Sequence, residues 1–137
     1  MFFEYTDYIR FIKRADEYSN VPSPIISSLF TLLQGIICIV IHLGLTNYFP
    51  LEFMYDEKYA NFPLWKQAIW WYLTCMARRF FYYGPFKMSN GAVIAAGLSY
   101  NGQDKEKKDK WDKIDSVQVL GFELATSMVD ALRAWNH

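Results

Sequence analysis

Residues 25–45 read IISSLFTLLQGIICIVIHLGL, and from Val21 to Pro50 the chain carries no formal charge. A hydrocarbon core roughly 30 Å thick needs roughly 20 apolar residues of helix to cross it, which this run supplies. Val21-Pro22-Ser23-Pro24 opens it, because proline suits a first helical turn and not a helix interior. Tyr48-Phe49-Pro50 closes it with rings of the kind found at headgroup level. Ser27, Ser28, Thr31, Gln34 and His42 interrupt the run, and backbone carbonyls or neighbouring helices are expected to satisfy them. The run predicts a membrane helix over about 25–47, with His42 as a hydrogen-bonded packing residue.

The rest of the chain fits the same solvent. Of 137 residues, 53% are hydrophobic and 19% aromatic, while the 20% that are charged crowd into the termini and two short loops. A soluble surface would intersperse charge along its helices. Formal net charge is zero with no basic arm, so the electrostatic footprint of a nucleic-acid binder is missing and nucleic acid is not an expected partner. Cys38 and Cys75 both lie in apolar stretches, and with His42 and His137 they make no metal-ligand spacing. No metal site and no disulfide are expected. The N-terminus lacks the basic and apolar regions of a secretory signal, which leaves internal segments to enter the membrane.

Further helices follow from spacing and punctuation. Thr6 to Tyr18 sets Tyr8, Phe11 and Ile12 near helical spacing, an amphipathic helix for a membrane interface or a soluble surface. Pro63 opens a second expected membrane helix, 64–83, long enough to span, with Trp65, Trp70, Trp71 and Tyr72 near one end and Arg78 and Arg79 near the other; Gly84-Pro85 is expected to end it. A third, shorter helix is expected over 88–100, where Ser89, Gly91, Ala92, Ala95 and Ala96 permit close backbone approach. Residues 103–110, of mixed charge, read as a solvated loop after the turn signal Asn101-Gly102. Ala125, Met128, Ala131, Leu132 and Trp135 predict one more helix. Arg10, Lys13 and Arg14 before the first span and Lys58 and Lys66 after it give too small a bias to set an orientation. The fold class is all-α, a polytopic membrane helical bundle in a single domain over 1–137.

No glycine-rich phosphate loop, nucleophile elbow or zinc-protease motif occurs. Instead a series of landmarks runs down the chain: Phe3-Glu4-Tyr5-Thr6-Asp7-Tyr8-Ile9, Arg78-Arg79-Phe80-Phe81-Tyr82-Tyr83, Gly97 to Asp104 around Asn101-Gly102, Trp111-Asp112, Phe122 to Ser127, and Trp135-Asn136. In this order and spacing the chain resembles the membrane-bound O-acyltransferase (MBOAT) family, and within it the lysophospholipid acyltransferases, whose catalytic segment opens with a Trp-Asn pair.

The resemblance implies a partial MBOAT fold and transfer of an acyl chain from acyl-coenzyme A, as co-substrate, to a lysophospholipid hydroxyl, in phospholipid remodelling at the endoplasmic reticulum membrane. Lysophospholipid, acyl-coenzyme A and membrane lipids are the implied partners, and no further cofactor is implied. Asn136 matches the family's catalytic asparagine, while Asn101, Trp111, Asp112 and Glu123 match positions expected to shape the substrate site. Each also has a plain structural role: a turn for Asn101, an interfacial anchor for Trp111, a helix cap for Asp112, an interhelical polar contact for Glu123. The family's catalytic histidine lies several tens of positions beyond its Trp-Asn pair, so His137 does not match it. A threonine three positions past the asparagine is also unmatched. The chain is therefore expected to be a fragment ending before the catalytic histidine, inactive and poorly stable by itself. Competing readings are an MBOAT acting on a protein or sterol, a non-catalytic membrane scaffold, and a soluble helical domain.

Overall fold

The computed structural model describes residues 5–15, 18, 19 and 21–135, with only the backbone of Asp7. Asn136 and His137 lie outside the described residues, as do Phe3 and Glu4 of the first landmark. Among the described residues all regular structure is helical apart from one isolated bridge between Gln103 and Asp109. In chain order the α-helices are α1 (Tyr5–Ile12), α2 (Ile25–Tyr48), α3 (Glu57–Ala60), α4 (Leu64–Ala95), α5 (Val119–Glu123) and α6 (Met128–Trp135).

Helix α1 is shorter than the spacing of Tyr8, Phe11 and Ile12 predicts. Arg14 adopts φ 50°. The Arg14 N–H donates to the Phe11 carbonyl at 3.1 Å and the Ala15 N–H to the Arg10 carbonyl at 3.0 Å. These are the paired bonds of a Schellman stop, which closes the helix while the side-chain pattern continues.

α2 and α4 run antiparallel as one long hairpin, and contacts between them dominate the tertiary structure. The α2 face against α4 is narrow, with Ser28, Gly35 and Cys38 buried. A Cβ on Gly35 would come within 2.8 Å of Met88 Cγ and 3.1 Å of the Gly84 carbonyl oxygen, and one on Gly91 within 2.7 Å of Leu32 Cγ. Small residues thus set the helix separation, as in bilayer packing where close van der Waals approach drives association. Cross-helix hydrogen bonds absorb the polar interruptions: Ser28 Oγ donates to the Gly91 carbonyl (2.9 Å) and Thr74 Oγ1 to the Phe49 carbonyl (3.3 Å). His42 Nδ1 lies 2.9 Å from the Ala77 carbonyl oxygen. A carbonyl only accepts, so Nδ1 carries the proton, and His42 is the hydrogen-bonded packing residue expected. The opposite face of α2 leaves Ile26, Phe30, Leu33, Ile37, Val40 and Leu43 exposed. Among the described residues α2 is the one helix long and apolar enough to cross a membrane. Phe49, Phe53 and Phe62 surround Trp70, with centroids 5.0, 4.6 and 6.4 Å away, where the chain turns between α2 and α4.

The structure corrects the helix expected to stop at Gly84-Pro85. α4 is continuous for 32 residues with Pro85 inside it, so the segments expected at 64–83 and 88–100 form a single helix. Proline removes one N–H and costs a helix interior ~3 kcal/mol. Here both sides of Pro85 are bound to the same partner, through Thr74 and Ala77 before it and Gly91 after it, which offsets that loss. The stop comes at Gly97, φ 79°. Its N–H donates to the Ile94 carbonyl (2.8 Å) and the Leu98 N–H to the Val93 carbonyl (3.2 Å), a second Schellman pair.

The tail, expected as one helix, is two. Ser127 Oγ accepts from the Asp130 N–H at 3.1 Å and donates to Asp130 Oδ2 at 2.6 Å, a capping arrangement that starts α6 afresh. The Gln118 N–H donates to the Ala134 carbonyl at 2.8 Å, joining the start of α5 to the end of α6. Cys38, Phe80, Tyr83 and Val117 form the buried core that unites the hairpin with this tail, with Phe86, Phe122 and Trp135 packed against it.

Candidate functional site

A polar line runs down α4 through Arg79, Tyr83, Lys87 and Asn90, at the spacing that keeps residues on one helix face. It faces the tail. Arg79 donates through Nε to Glu123 Oε1 (2.8 Å) and through Nη2 to Glu123 Oε2 (3.0 Å), a two-point fork. Tyr83, fully buried, donates from its hydroxyl to the same Oε1 at 2.8 Å. One turn on, Lys87 is only 9% exposed and donates to Asp115 Oδ1 at 3.1 Å. Asn90 Nδ2 donates to that oxygen too, and Ser116 Oγ donates to Asn90 Oδ1 at 2.9 Å. Every charge in this interior is paired, as burial requires.

The line leads to Trp135. Its ring centroid lies 5.2 Å from Phe122, 5.8 Å from Tyr83, 5.9 Å from Phe86 and 6.5 Å from Tyr82, all edge-on or tilted. Such geometries favour the ring quadrupoles. Trp135 borders two open clefts. One, about 850 Å³, is shared with Phe86, Ser116, Val129, Leu132 and Arg133. The other, about 410 Å³, is shared with Arg78, Arg79, Tyr82, Phe122 and Met128. A further cleft of about 550 Å³ between α2 and α5 has mostly apolar walls, among them Ile37, Ile41, Phe80 and Leu120, with Lys87 and Asp115 supplying charge.

Asn101, Trp111 and Asp112 come together elsewhere, on the two arms of the loop between α4 and α5. Asn101 Nδ2 donates to Asp112 Oδ1 at 2.9 Å, and the Asn101 N–H to the Lys110 carbonyl at 2.9 Å. Trp111 packs at a tilt against Tyr100, centroids 5.3 Å apart, and its carbonyl accepts from buried Ser99 Oγ at 3.1 Å. Asp112 caps no helix. It braces this loop, and Asn101 begins an arm instead of forming the turn. The turn is at Asp104, whose Oδ1 accepts from the Glu106 N–H (2.8 Å) and the Lys108 N–H (3.0 Å). Those two bonds, Lys108 first, hold the Asp104 carboxyl below its ordinary value. Glu123 makes the interhelical contact that one of its two readings predicts.

The structure thus gathers Asn101, Trp111 and Asp112 in one cluster, puts Glu123 in another, and leaves Asn136 outside the described residues. Sequence reasoning missed Tyr83, Lys87, Asn90 and Asp115. The available signal was polar side chains at steps of four, four and three within an aromatic helix. The break assumed at Gly84-Pro85 concealed it.

A helical hairpin with one lipid-compatible face and paired interior charges is the architecture of a membrane-embedded helical protein. The sequence model of MBOAT, membrane-bound O-acyltransferase family, matches residues 2–137, and the chain belongs to that family. It is similar to a "Lysophospholipid acyltransferase" of Schizosaccharomyces pombe, 31% identical over 98% of this chain and 28% of the relative. "Lysophospholipid acyltransferase 1" of Arabidopsis thaliana is 29% identical over 98% of this chain and 30% of its own length. "Membrane-bound glycerophospholipid O-acyltransferase 2" of Gallus gallus is 29% identical over 96% of this chain and 29% of its own length. The chain therefore spans about 30% of the length of these relatives.

Proposed function

We propose that this chain is a segment of an enzyme that moves an acyl group from acyl-coenzyme A to the free hydroxyl of a lysophospholipid, in the endoplasmic reticulum membrane. The observation that carries the reading is the match to lysophospholipid acyltransferases along 98% of the chain. In this reaction the hydroxyl oxygen attacks the thioester carbonyl. A C–O bond forms, the C–S bond breaks, and the hydroxyl proton passes by way of a general base to the departing thiolate. The resemblance assigns the base to a histidine that this segment does not supply. Asn136 donates an amide hydrogen bond to the charge growing on the carbonyl oxygen, or orients the acceptor. Asn101, Trp111 and Asp112 form a rigid loop beside the substrate path, and Glu123 sets the tail.

The test replaces the matching segment of the fission yeast relative with residues 1–137 and assays acylation of lysophosphatidylcholine, lysophosphatidylethanolamine and lysophosphatidylserine by oleoyl-coenzyme A. Acylation that falls on the order of 10²-fold in Asn136→Ala is the expected result. A membrane-inserted, monodisperse hybrid that acylates none of the three would overturn the lysophospholipid reading. Acylation of a sterol or peptide by that hybrid would redirect it within the family.

A further inference from the structure

Trp135, which immediately precedes Asn136 in the sequence, is held by four neighbouring rings. Its two nearest rings, Phe122 and Tyr83, are governed by one carboxylate. Phe122 adjoins Glu123 in the chain, and the Tyr83 hydroxyl donates to Glu123 Oε1 at 2.8 Å. The Arg79 fork then ties Glu123 to α4. From the other side, the Gln118 N–H holds the carbonyl of Ala134, the residue before Trp135, at 2.8 Å.

We infer that Glu123 is a positioning residue: through its bonds to Arg79 and Tyr83 it locks the aromatic cage of Trp135, the residue next in sequence to the asparagine of the proposed reaction. The inference rests on the acyltransferase reading for its catalytic consequence, while its structural half stands without it. A fork to a planar guanidinium fixes both the distance and the plane of a carboxylate. A cage of rings fixes an indole in plane and tilt. Arg79 and Tyr83 lie on a helix bound along its length to α2, so the reference frame is the rigid hairpin and not the short α5.

The chemical dependence is specific. Glu123→Gln keeps the side-chain shape but weakens the Arg79 fork. Tyr83→Phe keeps the ring against Trp135 and loses only its bond to Glu123. A misplacement of about 1 Å at a reacting group can cost on the order of 10²-fold in rate. In the hybrid enzyme Glu123→Gln is therefore expected to lower kcat 10- to 100-fold, as an order of magnitude, with KM for lysophospholipid unchanged. Tyr83→Phe should change kcat in the same direction by less, and Glu123→Asp should recover part of the loss. All rates are normalised to monodisperse enzyme.

The second arm uses the same hybrid enzyme in detergent, labelled with 5-fluorotryptophan, its Trp135 signal assigned by Trp135→Phe. Glu123→Gln should move or broaden that signal while those of Trp65 and Trp71, at the far end of α4, stay in place. An unmoved Trp135 signal overturns the positioning role whether or not the hybrid is active. A raised KM with unchanged kcat would also overturn it, because Glu123 would then bind substrate instead. If the unsubstituted hybrid is inactive while the Trp135 signal responds, the acyltransferase reading and the catalytic consequence of the cage fail together, and the cage remains as a structural device.

Discussion

At the scale of single residues, the loop after α4 shows how one carboxylate shapes a turn. Asp104 accepts two backbone N–H bonds, and its carboxyl titrates below the ordinary range. A depressed folded value means that the stabilisation is present above the unfolded pKa, roughly 3.9, and is lost as pH falls through the lower folded one. We expect the Lys108 and Glu106 amide resonances to shift together as pH drops below roughly 4, and Asp104→Asn to show no such titration. Lys87 and Asp115 make the opposite kind of pair, with side chains only 11% and 18% exposed. Deleting one partner strands the other charge in the interior. Asp115→Ala should cost roughly 3–5 kcal/mol in detergent unfolding, and replacing both residues with apolar ones of similar size should cost much less. Equal losses in the single and double variants would show that the pair is not buried in solution.

At the scale of helices, the α2–α4 contact depends on the absence of side chains. Gly35 faces the Gly84 carbonyl oxygen and the Met88 backbone nitrogen, each 3.1 Å from an added Cβ. Gly35→Leu should push the pair apart and lower stability by about 1–3 kcal/mol, read as a fall in thermal midpoint. Gly44, which has open space around it, is the control. What sequence alone made legible follows the same physics. The α2 helix was readable because its apolar run is uninterrupted by charge, and α6 from its periodicity. Pro85 misled because its local penalty is visible in sequence whereas the α2 contacts that offset it are not. The polar line on α4 escaped for a related reason: its partners Asp115 and Glu123 lie 28 and 44 residues from Lys87 and Arg79. Of the candidate site, Asn101, Trp111, Asp112 and Glu123 were singled out by motif order, and the fold puts Glu123 in a different cluster from the other three.

At the scale of the whole molecule, exposed Ile26, Phe30, Leu33, Ile37, Val40 and Leu43 give α2 a continuous apolar flank. Water tolerates single exposed apolar residues but seldom a strip of this size. Expressed with microsomes, the chain should stay with the membrane pellet after alkaline carbonate extraction; release into the supernatant would contradict a membrane span. The Lys87–Asp115 link also bears on how the molecule is made. When α4 leaves the ribosome, its lysine has no counterion, because Asp115 follows 28 residues later. A lone lysine at mid-bilayer opposes insertion by about 2.5–3.5 kcal/mol on translocon scales. The second half of α4 should therefore wait at the insertion machinery until the carboxylate emerges, and biogenesis should proceed in two pulls separated by a pause. A stalling-peptide force profile would show the second pull arriving late, and Lys87→Leu would bring it forward.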